Sequence, residues 1–221
     1  MSINIAIDGP AGAGKSTIAK KLAKELSYIY VDTGAMYRAM ALYFLQNNIA
    51  AEDEAAISAK CSDVEVSISY ENGEQQVLLN GENVNGLIRN EKVGNMASAT
   101  SVYGKVRSKL VELQQKLAAD KDVIMDGRDI GTCVLPNAQV KIYLTASVET
   151  RAKRRFDELT EKGMKCDLQE IEKDIADRDY RDMHRDISPL KQAEDAVLVD
   201  TSYLNIEEVV AAIRKIYEEK C

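Results

Sequence analysis

The sequence lacks long hydrophobic runs, paired cysteine motifs and low-complexity tracts. No apolar stretch approaches the roughly 18 residues that cross a membrane, so we expect no membrane partner. The chain begins with an apolar strand pattern and shows no hydrophobic region of a secretion signal. The widely spaced cysteines form no CxxC pair, which argues against a metal site or disulfide framework and favours a reduced, cytoplasmic protein: Cys61, Cys133, Cys166 and Cys221.

The chain has fewer positively than negatively charged residues. The 29 Lys and Arg residues face 36 Asp and Glu, giving a net charge of −7. Such a chain is poorly suited to binding a nucleic acid polymer through its phosphates. Six of the eleven arginines nevertheless fall within the 35 residues from Arg151 to Arg185. This clustering favours a local site for a small anion. The 221 residues suit one domain with a sizeable insert, and we expect a monomer.

The strongest motif is INIAIDGPAGAGKST, residues 3–17. A short apolar run, predicted to be a buried strand, precedes Gly9, four residues, and then Gly14-Lys15-Ser16. A helix is predicted from about Lys15 to Leu26. Glycines let backbone N–H groups converge on an anion, and the helix N-terminus adds its own donors. We therefore predict a phosphate cradle rather than a plain glycine turn, with Lys15 on the β/γ-phosphates, Ser16 on Mg²⁺, and these ATP-binding residues: Gly9, Pro10, Ala11, Gly12, Ala13, Gly14, Lys15, Ser16 and Thr17.

The remaining periodicity predicts an α/β fold with a five-stranded parallel sheet. The strands are predicted at about residues 3–8, 28–31, 122–126, 139–145 and 197–199. The helices between them are predicted at about 34–47, 52–60, 90–119 with a break near Tyr103-Gly104, 147–161 and 167–184, and a last helix from about Asn205. We expect this last helix to bury Ile206, Val209, Val210, Ile213 and Ile216. Strands alternating with helices give a doubly wound sheet.

Residues 62–86 interrupt this pattern. Apolar and polar residues alternate with period two around Val64 to Ile68, and two Asn-Gly pairs separate the apolar runs. Asn-Gly between such runs is a strong β-hairpin signal. We predict an inserted antiparallel β subdomain, and the pattern leaves open whether it takes part in the chemistry or only decorates the fold.

Several polar residues follow predicted strands, at the sheet edge where α/β proteins bind ligands. Asp126 ends a buried strand, where a P-loop enzyme places a carboxylate near Mg²⁺ and its waters. Tyr37 and Arg38 follow the second strand, either as a surface pair or at the mouth of the cleft.

The helix predicted at 167–184 carries Arg178 and Arg181 on one face, with Arg185 continuing it. Two interpretations are open. Interleaved aspartates (Asp179, Asp182, Asp186) could neutralise these arginines on a solvated helix, or the arginines could form a mobile lid over phosphates. Arginine recognises phosphate with two parallel hydrogen bonds, which favours the lid in a chain that also has a P-loop. The single His184 has no catalytic or metal partner pattern and is predicted to lie at the surface.

Five segments resemble bacterial cytidylate kinases: GPAGAGKST, VDTGAMYRA, VGNMAS, DGRDIGT and RDYRDMHRDISPL. The resemblance covers the chain from Ile3 to about Ser202, and the β insert also matches. It implies a P-loop kinase with a helical lid that transfers the γ-phosphoryl group of ATP to CMP or dCMP with Mg²⁺. Ser16 and, through water, Asp126 would hold the metal.

The resemblance also implies roles for individual residues. The CMP site would comprise Thr33, Tyr37, Arg38, Ser98, Arg107, Arg128, Asp129, Arg178, Asp182 and Arg185. In this set Ser98, Arg107 and Asp129 would read the cytosine edge, and Arg178 and Asp182 would reach the ribose. The catalytic set would be Lys15 with Arg128, Arg154, Arg155, Arg178 and Arg185, where Arg154 and Arg155 are similar to lid arginines that close over ATP. Thr33 stands where the family often has serine, and both residues offer a hydroxyl.

The implied organisation is a single P-loop kinase domain. Its core would comprise about 1–32, 87–150 and 187–221, its monophosphate-binding region about 33–98 with the insert at 62–86, and its lid about 151–186. Two alternatives are a small P-loop kinase acting on a metabolite such as shikimate, and a nucleotide-switched binding module. The second alternative requires an Asn-Lys-x-Asp motif for guanine, which the sequence lacks.

Overall fold

The computed structural model describes residues 2–221. Its strands are β1 (Asn4–Asp8), β2 (Ile29–Asp32), β3 (Val66–Glu71), β4 (Glu74–Leu79), β5 (Glu82–Asn83), β6 (Val123–Gly127), β7 (Val140–Thr145) and β8 (Val197–Asp200). Its helices are α1 (Lys15–Leu26), α2 (Thr33–Gln46), α3 (Glu54–Lys60), α4 (Glu91–Thr100), α5 (Gly104–Ala119), α6 (Val148–Glu161), α7 (Leu168–His184) and α8 (Ile206–Lys220). Short helical turns at Cys61–Asp63 and Ile130–Val134 complete the described elements.

The main sheet has five strands in the order β2-β6-β1-β7-β8. β1 runs parallel to β7, with Ile5 opposite Val140, and β7 runs parallel to β8. The strands alternate with helices along the chain, which confirms the predicted doubly wound α/β fold. No helix in residues 2–221 combines the length and apolar character needed to cross a membrane.

The chain divides into two compact units. The second unit comprises Ile3–Tyr28 and Ile124–Cys221 and contains β1, β7, β8 and the P-loop. Its core is formed by fully buried strand residues such as Ile7 and Leu144, and by α1 packed against α8. α8 begins after Asn205, whose side chain forms a reciprocal capping box with Glu208. The predicted burial of Ile206 is wrong: this residue is the first of the helix and 45% exposed.

The first unit comprises Ser2 and Ile29–Val123, and α2 is its central helix. Met36, Met40 and Phe44 form the buried stripe of α2, which packs against α4 and α5. The predicted break in the long helical region is confirmed, because α4 ends at Thr100 and α5 begins at Gly104. Asp32 begins α2 by accepting a hydrogen bond from the Ala35 N–H.

The predicted β insert is also confirmed. β3, β4 and β5 form a separate three-stranded antiparallel sheet within the first unit. Its two connections are Asn-Gly pairs, at Asn72-Gly73 and Asn80-Gly81, and all four residues have φ between 50° and 85°. Positive φ at both central residues is the requirement of a tight type I′ turn, which explains the amino-acid choice.

Candidate active site

The glycine loop between β1 and α1 leaves its backbone donors available. Gly14 is the N-cap of α1, with φ of 89°. Because glycine has no side chain, it cannot cap the first N–H groups of the helix. α2, α3, α4, α6, α7 and α8 all have an Asp, Asn or Ser side chain in that role. The first N–H groups of α1 therefore remain to bind an anion, and the positive end of the helix dipole favours one.

Lys15 lies buried at the start of this helix. Its ammonium group donates to the carbonyl of Pro10 across 2.7 Å. Burial, assisted by the nearby charge of Arg128, lowers the pKa of Lys15 to about 7. An anionic phosphate oxygen in place of the Pro10 carbonyl would favour the charged form of Lys15 and so raise this pKa.

Ser16 and Asp126 form the oxygen pair next to Lys15. The Ser16 hydroxyl donates to Oδ2 of Asp126 at 3.0 Å, and Asp126 is buried at the carboxyl end of β6. Hard oxygen donors suit Mg²⁺, which in kinases takes few protein ligands because substrate phosphates and water complete its shell. In residues 2–221 no three His, Cys, Asp or Glu side chains group as a metal site.

The two residues that follow β6, Arg128 and Asp129, form ion pairs with α7 and with the residue after it. Arg128 donates through Nε to Oδ2 of Asp182 at 2.9 Å, and Arg185 lies 3.6 Å from Asp129. These four side chains are largely or fully buried. The pKa of Asp182 is lowered because the charges of Arg128 and Arg178 outweigh the opposing effect of burial. Arg178, on the same helix, is half-buried.

These pairs correct the interpretation of α7 as a solvated helix with internally neutralised charges. Asp182 pairs with Arg128 after β6, and Asp179 pairs with Arg151 on α6. Both aspartates are buried, and Arg181 is the exposed arginine of the face. His184 is exposed as predicted and stacks on Tyr180. The partners could not be read from spacing along α7, because they lie on other elements.

Arg151 is a residue that sequence reasoning did not single out. It is buried, and its guanidinium makes three hydrogen bonds: to the carbonyl of Ala146 at 2.9 Å, to the carbonyl of Ala11 at 2.9 Å, and to Asp179 at 2.6 Å. Ala11 belongs to the P-loop. Arg151 therefore connects α6 and α7 to the phosphate cradle, and its place within the arginine cluster was the available signal.

Asp8 is a second residue that was missed. Each of its carboxylate oxygens accepts a backbone N–H at 2.7 Å, from Ile130 and from Gly131. Burial raises the pKa of Asp8 to about 6, although these two hydrogen bonds oppose the rise. Asp8 thus fixes the turn that follows Asp129. A charged residue ending an otherwise apolar strand was the signal in the sequence.

The two predicted lid arginines of α6 differ in surroundings. Arg154 donates to both the hydroxyl and the carbonyl of Thr201, and this hydroxyl lies 3.5 Å from the Ala13 carbonyl of the P-loop. Arg155 forms an exposed pair with Glu158. Arg154 is therefore held beside the glycine loop, whereas Arg155 is in contact with solvent.

The predicted acceptor residues of the first unit lie on three helices. Thr33 is buried at the start of α2, and Tyr37 and Arg38 are half-buried one turn later. The guanidinium of Arg107, on α5, lies over the Tyr37 ring at 5.9 Å from its centre. The Ser98 hydroxyl, on α4, is buried with no hydrogen-bond partner in the described residues. An unsatisfied buried hydroxyl is costly, which points to a ligand partner.

The strand, uncapped glycine loop and helix, with a buried lysine, a serine and a strand-end aspartate, define a P-loop kinase. Solved structures agree on the fold: shikimate kinase from Bacteroides thetaiotaomicron aligns with a TM-score of 0.51, covering 98% of each chain at 12% sequence identity. At that identity the likeness concerns the fold alone.

The family is set by sequence. The model of the family described as cytidylate kinase matches residues 5–219. Cytidylate kinase of Lactobacillus johnsonii is 52% identical over 99% of this chain and 95% of its own length. Cytidylate kinase of Enterococcus faecalis is 51% identical over 99% of this chain and 96% of its own. The chain belongs to the cytidylate kinase family, as the five sequence motifs predicted.

Proposed function

We propose that this protein transfers the γ-phosphoryl group of ATP to CMP or dCMP, giving CDP or dCDP and ADP. The observation that carries the proposal is the cluster of Lys15, Ser16 and Asp126 at an uncapped helix start, in a chain of this family. This cluster offers what a triphosphate requires: backbone donors, a positive charge and oxygen ligands for a metal.

On the donor side, residues Gly9 to Thr17 bind the ATP phosphates. Lys15 exchanges its Pro10 carbonyl partner for phosphate oxygens. Mg²⁺ fits beside Ser16 and, through water, Asp126, because both offer hard oxygen donors. When bound, the metal supplies positive charge that neutralises the phosphates. Arg154, held by Thr201 near the loop, and Arg155 add positive charge on the donor side.

On the acceptor side, residues of the first unit bind CMP. Arg38 pairs with the acceptor phosphate, and Tyr37 and Thr33 lie beside the nucleotide. Ser98 and Arg107 read the cytosine edge. The buried Ser98 hydroxyl without a partner supports this assignment, because it can accept from the exocyclic amine of cytosine.

The other residues of the predicted CMP site have the roles that the family resemblance implies. Asp129 accepts from the cytosine amine, Arg178 and Asp182 bind the ribose, and Arg128 and Arg185 bind phosphate. The ion pairs Arg128–Asp182 and Arg185–Asp129 support this proposal, because they hold the four side chains in a fixed arrangement before substrate arrives.

The reaction needs no covalent intermediate. An anionic oxygen of the acceptor phosphate attacks the γ-phosphorus in line with the leaving ADP oxygen, so no strong general base is required. Lys15 and the catalytic arginines stabilise the charge on the transferred group: Arg128, Arg154, Arg155, Arg178 and Arg185. Exclusion of water by the helical lid at about 151–186 limits wasteful hydrolysis of ATP.

We further propose a single P-loop kinase domain with a core of about 1–32, 87–150 and 187–221, a monophosphate-binding region of about 33–98 that includes the insert at 62–86, and a lid of about 151–186. The partners are ATP with Mg²⁺ and CMP or dCMP. We propose that the protein acts as a cytoplasmic monomer and binds neither membranes nor nucleic acid polymers.

A coupled ADP-release assay tests the reaction, using Mg-ATP with CMP, dCMP, UMP, AMP, GMP and shikimate in turn. We expect fast turnover with CMP and dCMP only. Uracil presents a carbonyl where cytosine has an amine, so UMP leaves the acceptors Ser98 and Asp129 unpaired. Comparable kcat/KM for UMP would contradict the base assignment. The absence of stimulation by every acceptor would refute the kinase proposal.

Asp129→Ala tests the acceptor site directly. We expect kcat/KM for CMP to fall roughly a hundredfold or more, because the cytosine amine loses its acceptor and Arg185 loses the nearby carboxylate of Asp129. KM for ATP should change little. Asp174→Ala, on the exposed surface of α7, is the matched control and should behave as wild type. Near-normal CMP turnover by Asp129→Ala would remove Asp129 from the site.

A further inference from the structure

Two side chains of the β insert bond to an end strand of the main sheet. Tyr70 and Gln75 lie directly opposite each other on β3 and β4. The Tyr70 hydroxyl donates to the carbonyl of Tyr30, at 3.0 Å. The Gln75 amide accepts from the Asp32 N–H at 2.8 Å and donates to the Asp32 carbonyl at 3.2 Å. Tyr30 and Asp32 belong to β2, which is an end strand of the sheet.

These contacts satisfy the free edge of β2. Backbone groups two residues apart point to the same side of a strand, so Tyr30 and Asp32 present their polar groups together. The Gln75 amide accepts from and donates to the same residue, so it makes the pair of hydrogen bonds that an additional strand would make with Asp32. Because these groups are partly buried, losing the contact would leave both unsatisfied.

Asp32 is also the N-cap of α2, the helix that carries Thr33, Tyr37 and Arg38. Its Oδ1 accepts from the Ala35 N–H and caps α2. Its Oδ2 pairs with Arg89 at 2.7 Å, in the segment that follows the insert. The backbone of Asp32 is thus held by the insert and its side chain by Arg89. The next residues along α2 are Thr33 and Tyr37, which we assign to the nucleotide.

Other polar side chains of the insert have a different role. Gln76, the neighbour of Gln75, accepts hydrogen bonds from Asn83 and Asn85, both within the insert. It stabilises the hairpin without bonding to β2 or α2. Replacing each glutamine in turn therefore distinguishes an effect on the stability of the insert from an effect on its attachment to Asp32.

We propose that Gln75 is a positioning residue for the acceptor nucleotide: through the Asp32 peptide it sets the start of α2 and hence the placement of Thr33, Tyr37 and Arg38. This inference rests on the proposed function, and it makes the β insert part of the acceptor site rather than a decoration. In this proposal Gln75 acts through Asp32 alone, so we expect no change in KM for ATP.

The first test is steady-state kinetics of Gln75→Met, with Gln76→Met as its matched control. Methionine keeps the length of the side chain but removes both hydrogen bonds. For Gln75→Met we expect KM for CMP to rise roughly five- to tenfold, with KM for ATP unchanged. Gln76→Met should lower Tm without this selective effect. Equal changes in both KM values, or the same CMP defect in Gln76→Met, would overturn the proposal.

The second test is amide hydrogen exchange measured by NMR, which does not depend on catalysis. In Gln75→Met the Asp32 and Ala35 amides should exchange faster, whereas Gln76→Met should affect amides of the insert only. Unchanged exchange at Asp32 would refute the attachment, even if wild-type protein did not phosphorylate CMP. Faster exchange with an unchanged KM for CMP would refute the coupling to the acceptor site.

Discussion

Gly9, directly after β1, approaches β7 more closely than any side chain permits. A Cβ at this position would lie 1.9 Å from the carbonyl oxygen of Leu144, and φ is 150°. Backbone atoms of a buried strand cannot move away cheaply, since Leu144 is fully buried. The first glycine of the loop is therefore required by packing, independently of any role in binding phosphate.

We expect Gly9→Ala to lower the free energy of unfolding by several kcal/mol, on the order of 4 or more, because the overlap involves buried backbone. The control is Gly163→Ala, where φ is 71° and no atom lies within 4 Å of the new Cβ. That change adds backbone strain alone, about 1–2 kcal/mol. Urea unfolding of both variants makes the comparison. Similar losses in the two would contradict the steric explanation.

Among elements, α6 and α7 are connected to the P-loop by Arg151. The arginine contacts the Ala11 carbonyl while its ion pair with Asp179 is almost fully buried. A buried ion pair stabilises a protein little more than an apolar pair of the same shape. Removing one member, however, leaves the other as a buried charge without a partner of opposite sign. The loss of unfolding free energy should therefore be largest when Arg151 alone is replaced.

We expect Arg151→Met to destabilise the protein by about 3–5 kcal/mol, and the double variant Arg151→Met/Asp179→Leu to recover part of that loss. Arg214→Met is the control, because its pair with Glu218 on α8 is exposed and should contribute about 0.5 kcal/mol or less. Thermal and urea unfolding supply the values. A single-variant loss as small as that of Arg214→Met would mean that the buried pair has no structural role.

The elements were largely predictable from the sequence, and their contacts were not. Periodicity located the strands and helices, and the Asn-Gly pairs located the hairpin, because these signals are local. The partners of Asp179 and Asp182 depend on how distant segments pack, so the local pattern of alternating charge favoured neighbours on α7 instead. Asp8 was missed for the same reason: its two N–H donors lie 122 and 123 residues away.

At the scale of the whole molecule, the buried carboxyl of Asp8 links stability to pH. Its pKa is raised to about 6 in the folded protein from an ordinary value of 3.8. Between those values the folded state holds a proton that the unfolded state releases, so stability falls as pH rises. The stabilising contribution of Asp8 is fully present below pH 4 and is lost as pH rises through 6.

We expect the difference in unfolding free energy between wild type and Asp8→Asn to fall by about 3 kcal/mol from pH 4 to pH 7, since each pKa unit corresponds to about 1.4 kcal/mol. Taking the difference removes the contributions of carboxylates common to both proteins. Urea unfolding at half-unit pH intervals measures it. A difference that stays constant across this range would show that Asp8 does not titrate as described.

The contacts of Tyr70 and Gln75 with β2 also bear on self-association. An uncovered end strand is a template on which another chain can add a strand and begin to aggregate. The insert removes that opportunity at β2, one of the two end strands of the main sheet, by bonding to its outer backbone groups. A shortened protein lacking residues 62–86 should therefore precipitate more readily. We therefore expect the hairpin to affect the solubility of the protein in addition to the proposed placement of the acceptor nucleotide.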